Sequence, residues 1–154
     1  MALQKLFFVG VKGLIRNSKG DILLLHAGPS PWRDRKESYW DLPGGRIEEG
    51  DDELTTLHKE IREETGITDI YDAEYLQTVL STPTLPIKDN DRTAGLLLRI
   101  WQVKICEENE ITISHEHIGY EWLPPAEAAM RLRSKYLADF CEYVQSIDTD
   151  KDLK

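Results

Sequence analysis

An α+β fold, a mixed β-sheet sandwiched with helices, is what the sequence predicts, and three observations carry it. Runs of strand length, rich in apolar residues, recur at 6–15, 22–26, 73–81, 94–105 and 119–123. Amphipathic or well-capped stretches at about 52–65, 126–132 and 136–147 read as helices. The two kinds follow one another irregularly, which disfavours a doubly wound parallel sheet.

Residues 6–15 form the first strand, Asn17-Ser18-Lys19-Gly20-Asp21 a turn signal, and 22–26 the second strand, so 6–26 reads as a hairpin. Residues 28–38 are a polar loop carrying Arg33, Arg35 and Lys36. A short extended segment, Tyr39-Trp40-Asp41-Leu42, follows, and Pro43 with Gly44 and Gly45 reads as the turn that ends it. In the helix over about 52–65, Asp51 or Asp52 supplies an N-cap, and Leu54, Leu57 and Ile61 give a buried stripe. Gly66 suits the left-handed residue beyond the helix end. The runs at 73–81 and 94–105 form a long hairpin across a loop at 82–91. Residues 107–114 read as an acidic loop and 119–123 as a short strand. Pro124-Pro125 opens the next helix, as proline does at a first turn. The last helix places Leu137, Phe140, Cys141 and Val144 on one face.

The chain has 154 residues, enough for one domain with a sizeable core. A single domain over 1–154 is expected, with a charged, frayed end at 148–154. A net charge of −9 argues against a nonspecific nucleic-acid binder, whose affinity rests on basic surface. A phosphate-bearing small molecule remains compatible, because a bound divalent metal reverses the local field. Cys106 and Cys141 lack metal-like spacing and read as buried, reduced thiols. The apolar start of the chain is too short for a signal peptide or membrane span, so no membrane partner and a cytoplasmic setting are expected.

The chemistry concentrates at 44–67. Glu60, Glu63 and Glu64 lie at i, i+3 and i+4, so three carboxylates share one helical face, at a cost of a few tenths of a kcal/mol per pair. Spacing alone leaves two readings open: a solvated acidic face eased by Lys59 and Arg62, or a site for a hard cation such as Mg²⁺ or Mn²⁺. Gly44 and Gly45, just before the helix, let backbone approach a ligand closely and can offer a carbonyl.

Gly45, Asp51 and the run Lys59-Glu60-Ile61-Arg62-Glu63-Glu64-Thr65-Gly66-Ile67 resemble the signature of the Nudix hydrolases. All but two fixed positions match as written. Asp51 stands for a Glu and Lys59 for an Arg, and both departures keep charge. Tyr39 to Gly45 is similar to that family's approach to its box, and the element order over about 5–147 is similar to its α/β/α sandwich. The resemblance implies a pyrophosphohydrolase for a nucleoside diphosphate linked to another group, with water attacking phosphorus. It implies Glu60, Glu63, Glu64 and the Gly45 carbonyl as ligands of Mg²⁺ or Mn²⁺. Glu60, Glu63 and the loop acid Glu116 are the catalytic candidates. It also implies Asp51 and Lys59 as a structural brace, although Lys makes a point-charge contact where Arg would bind bidentately.

Around this site, Arg33 and Arg35 are candidates for substrate phosphates and Trp40 for substrate contact. Trp32, Tyr39 and Trp101 can stack on a base, with ordinary packing the plainer reading. His115 and His117 flank Glu116 without forming a metal set. The expected partner is a nucleotide or nucleotide conjugate, and the sequence leaves a homodimer open. The alternative function is a non-hydrolytic Nudix-fold module that senses nucleotides. The intact carboxylate set favours the enzyme, and the altered 51/59 pair favours the binder.

Overall fold

The computed structural model describes residues 2–29, 37–89, 91–106 and 110–147. The expected loop cations Arg33, Arg35 and Lys36, with Trp32, and the expected frayed end at 148–154 lie outside the described residues.

The elements run β1 (Leu6–Arg16), β2 (Ile22–Ala27), β3 (Tyr39–Asp41), β4 (Gly44–Arg46), α1 (Glu53–Thr65), β5 (Ile70–Leu80), β6 (Leu85–Pro86), β7 (Thr93–Ile105), β8 (His117–Leu123), α2 (Pro125–Leu132) and α3 (Ala138–Gln145). The strands form one mixed sheet whose main order is β3-β2-β1-β7-β5. β1 and β7 run parallel, from Leu6 opposite Ala94 to Arg16 opposite Lys104. The other pairings are antiparallel.

Side chains on successive strand residues point to opposite faces, and the core divides accordingly. Val11, Ile15, Leu23 and Leu25 pack with Leu57 and Ile61 of α1 on one face. Leu14, Ile22, Leu24, Leu98 and Ile100 pack with Ala128, Leu132, Phe140 and Val144 of α2 and α3 on the other. Each Val, Leu, Ile or Phe among them contributes about 1.5–3 kcal/mol on burial. The sandwich is the one the sequence predicts.

Several local expectations change. The 6–26 segment is barely a hairpin: β1 and β2 register at one pair, Arg16 with Ile22. β2 spends its length on β8 and β3, while β1 is drawn to the long β7. The long β5–β7 hairpin is present, and its connecting loop adds the two-residue β6. Gly44 and Gly45 do not end the extended segment in a turn. They open β4, which pairs antiparallel with β1, Gly44 opposite Lys12 and Gly45 opposite Val11. Gly44 has φ +150, and a Cβ there would lie 1.9 Å from the Val11 carbonyl oxygen. Only glycine admits so close a strand.

α1 is capped as expected, with the Asp52 side chain accepting from the Thr55 N–H and Gly66 left-handed at φ 80. Its buried stripe holds at Leu57 and Ile61 and fails at Leu54. Leu54 is 43% exposed, and the covered side is Thr56, Leu57, Ile61, Glu64 and Thr65. Helical periodicity locates a stripe but not its limits; packing against β1 and β4 rotates the buried side toward Glu64. Beside Leu54, Glu53 accepts hydrogen bonds from Arg99 Nε at 2.7 Å and Trp101 Nε1 at 2.7 Å, fixing the start of α1 to β7. Leu137 is exposed as well, because it caps α3 instead of lying within it. Cys141 is buried as read, but Cys106, at the end of β7, is exposed.

Candidate active site

α1 and β4 place carboxylates against glycine backbone. The Gly44 N–H donates to Glu64 Oε1 at 2.7 Å. The Glu60 carboxylate lies so close to Gly45 that a Cβ there would stand 2.7 Å from Glu60 Cδ and 3.0 Å from each oxygen. These contacts follow from the chain itself. Asp52 starts the helix, two turns bring Glu60 level with the strand, and Glu64 follows one turn later.

Glu64 is buried, Glu60 half-buried and Glu63 exposed. Burial pushes the Glu64 carboxyl up to about 7; Lys12 and the Gly44 N–H oppose that shift, and Glu60 and Asp41 add to it. Glu60 is also raised, by partial burial first and then by Glu63 and Glu116, with Lys59 and Lys12 opposing. Glu116 therefore belongs to the same electrostatic neighbourhood, in the exposed turn that leads into β8. Next to it, His117 Nε2 lies 3.5 Å from Glu64 Oε2. The sequence singled out Glu116 and gave His117 no firm role; its place flanking Glu116 was the available signal. His115 is exposed.

Among the described residues, no three His, Cys, Asp or Glu side chains converge on one point as a finished metal cage. Among the described residues, too, no ion pair joins Asp51 to Lys59. Asp51 is half-buried and its N–H donates to the Glu48 carbonyl, while Lys59 lies close enough to Glu60 to favour its charged form. Trp40 stacks on His26, with centroids 4.3 Å apart and planes 6° from parallel, and Arg131 Cζ lies 4.7 Å from its ring. Trp101 is turned to Glu53 and to the edge of Tyr75.

A buried charge cluster beside the carboxylates escaped the sequence reading. Asp41 receives Lys12 Nζ at 3.0 Å, Lys135 Nζ at 2.5 Å and the Tyr136 hydroxyl at 2.6 Å. Burial alone would raise the Asp41 carboxyl; the two ammoniums and the hydrogen bonds from Lys135 and Tyr136 outweigh it and hold it well below the usual carboxylate range. Burial disfavours the Lys12 charge, but Asp41 and Glu64 raise that group overall. Burial pulls Lys135 down to about 8. No short-range pattern signals this cluster, because its members come from β1, β3 and the turn between α2 and α3.

Comparison with known proteins identifies the family and the fold. The NUDIX domain family matches residues 6–140. The asymmetrical bis(5'-nucleosyl)-tetraphosphatase of Mus musculus is 30% identical over 120 residues, 77% of this chain and 74% of that protein. Two solved structures share the fold. One is a MutT protein from Methanosarcina mazei Go1, with TM-score 0.68, 24% identity and 99% coverage of each chain. The other is a C. elegans Ap4A hydrolase in a binary complex, with TM-score 0.64, 21% identity, and 90% of this chain and 93% of that one covered. With the family matched from β1 into α3 and the box carboxylates gathered on α1 against Gly44 and Gly45, the chain belongs to the Nudix family of hydrolases.

Proposed function

We infer that this chain is a pyrophosphohydrolase dependent on Mg²⁺ or Mn²⁺, acting on a nucleoside diphosphate linked to another group. The observation that carries this is the packing of Glu60 and Glu64 on the glycine backbone of β4, with Glu63 and Glu116 adding negative charge around Glu60. Crowded, partly buried carboxylates that raise one another favour a cation. An open set of oxygen donors suits a hard ion that keeps waters and phosphate oxygens as its other ligands. Glu60, Glu63, Glu64 and the Gly45 carbonyl would hold the ion, which when bound neutralises phosphate charge and acidifies a water.

In the reaction, a water oxygen forms a bond to one phosphorus of the diphosphate. The bridging P–O bond breaks, and the leaving phosphate group keeps the bridging oxygen. The proton lost by water passes to a carboxylate, for which Glu63, Glu60 and Glu116 are the candidates. A dinucleoside tetraphosphate is the first substrate to test, on the strength of the tetraphosphatase relative. The test is product release from Ap4A, ADP-ribose, nucleotide sugars and nucleoside triphosphates, with and without Mg²⁺ or Mn²⁺. Metal-dependent cleavage of at least one is expected, and Glu63→Gln should lower its kcat by at least about 100-fold. An unchanged rate in E63Q would remove Glu63 from the site. Tight nucleotide binding with no cleavage of any compound would favour the sensing module instead.

A further inference from the structure

Lys12 is a lysine in a strand core, 7% exposed, where an apolar residue would pack at no electrostatic cost. Its Nζ donates to Asp41 Oδ2 at 3.0 Å and to the Leu42 carbonyl at 3.2 Å. Both acceptors immediately precede Pro43-Gly44-Gly45. The neighbouring Gly13 N–H donates to the Pro43 carbonyl at 2.8 Å, so β1 grips this corner at successive residues. The Lys12 stem also borders Gly44, where a Cβ would stand 2.9 Å from Lys12 Cδ. Gly44 in turn gives its N–H to Glu64, and Gly45 packs on the Glu60 carboxylate.

We propose that Lys12 is a positioning residue for the hydrolytic reaction, clamping Asp41 and Leu42 so that the Gly44–Gly45 backbone meets Glu64 and Glu60 in register. The proposal rests on the pyrophosphohydrolase reading above. Asp41 is itself fixed from the far side by Lys135 and Tyr136. The clamp therefore ties the turn between α2 and α3, through β3 and β1, to the strand beneath the carboxylates. A fixed ammonium suits this task because its three donors can hold a carboxylate and a carbonyl together. Methionine would fill much of the same volume and hold neither.

The test compares full-length wild type with Lys12→Met and Lys12→Arg. Mn²⁺ binding is read from the EPR signal of the free ion, and kinetics are run at saturating Mg²⁺ on whichever nucleotide the wild type cleaves. Thermal melts and circular dichroism establish that each variant is folded. For K12M, Mn²⁺ binding at least fivefold weaker is expected, with kcat at least tenfold lower and KM within threefold. K12R keeps the charge and several donors but adds volume at a buried site, so its kcat should lie between those of K12M and wild type, and a kcat no higher than that of K12M would count against the clamp.

Mn²⁺ binding separates the clamp from a bystander charge. Removing a cation near carboxylates without moving them would tighten Mn²⁺ binding, so tighter binding with unchanged kcat overturns the proposal. Unchanged binding and kcat overturn it equally. If K12M does not fold, Lys12→Gln supplies the comparison, since it loses the charge but keeps a donor. If the wild type neither binds Mn²⁺ nor cleaves any nucleotide, the enzymatic reading falls, whereas a normal wild type with a normal K12M sinks only the clamp.

Discussion

Gly45→Ala should cost activity while leaving the fold intact. The added Cβ would lie 2.7 Å from Glu60 Cδ and 3.0 Å from both carboxylate oxygens. Ordinary carbon contacts settle at about 3.5–4.0 Å, so the carboxylate must withdraw by at least about 0.8 Å. It can do so, because Glu60 is the flexible end of a half-buried side chain. The backbone raises no objection, since Gly45 is not among the positive-φ glycines. Alanine also narrows the unfolded ensemble, worth about 0.4–1 kcal/mol in favour of folding. Stability should stay within about 1 kcal/mol of wild type, a shift in Tm of roughly 2–4 °C for a chain of this size. A group displaced by this much can lose up to about 100-fold in rate, or about 2.7 kcal/mol of barrier. Steady-state hydrolysis with Mg²⁺, run beside a thermal melt, measures both quantities. Full kcat in a folded G45A would refute the idea that Glu60 must rest on Gly45. An unfolded G45A would refute the steric reasoning itself.

Two other substitutions should act on stability first. Gly44→Ala puts a Cβ 1.9 Å from the Val11 carbonyl at φ +150, against backbone that cannot step aside. It should lose about 2–4 kcal/mol in urea unfolding, and a near-native midpoint would contradict the observed β1–β4 spacing. Asp41→Asn leaves the Lys12 and Lys135 ammoniums without their shared carboxylate, at a cost of about 3–5 kcal/mol near pH 7. The Asp41 carboxyl is held below its ordinary value of 3.8, so its contribution is full above that pH and is lost as pH falls through the folded value. The gap between wild type and D41N should therefore narrow below about pH 4, and parallel stability curves would count against the cluster.

The box helix was legible because its signals are local. Asp52, Gly66 and the spacing of Glu60, Glu63 and Glu64 lie within about four helical turns, and backbone geometry within that span is nearly fixed by sequence. Leu54 shows the limit. Its period fits the stripe, yet it is 43% exposed, and its neighbour Glu53 holds the helix start by hydrogen bonds to Arg99 and Trp101 of β7, a strand inside the sheet. The 44–45 pair shows another. A Gly-Gly after proline reads as a turn, and only the approach of β1 makes it a strand.

The sequence by itself determined the α+β class, the helix that carries the carboxylates, and the Nudix membership that the family match later bore out. Those depend on periodicity, capping and a contiguous motif. The tertiary structure decided what surrounds the carboxylates. It made β1 a parallel neighbour of β7, brought His117 to Glu64, and gathered Lys12, Asp41, Lys135 and Tyr136 into one buried cluster. The physical reason is range. Asp41 finds Lys135 across 94 positions and Tyr136 across 95, and such pairs are selected by the packing of β3 against the turn between α2 and α3, not by any pattern in the residues between them.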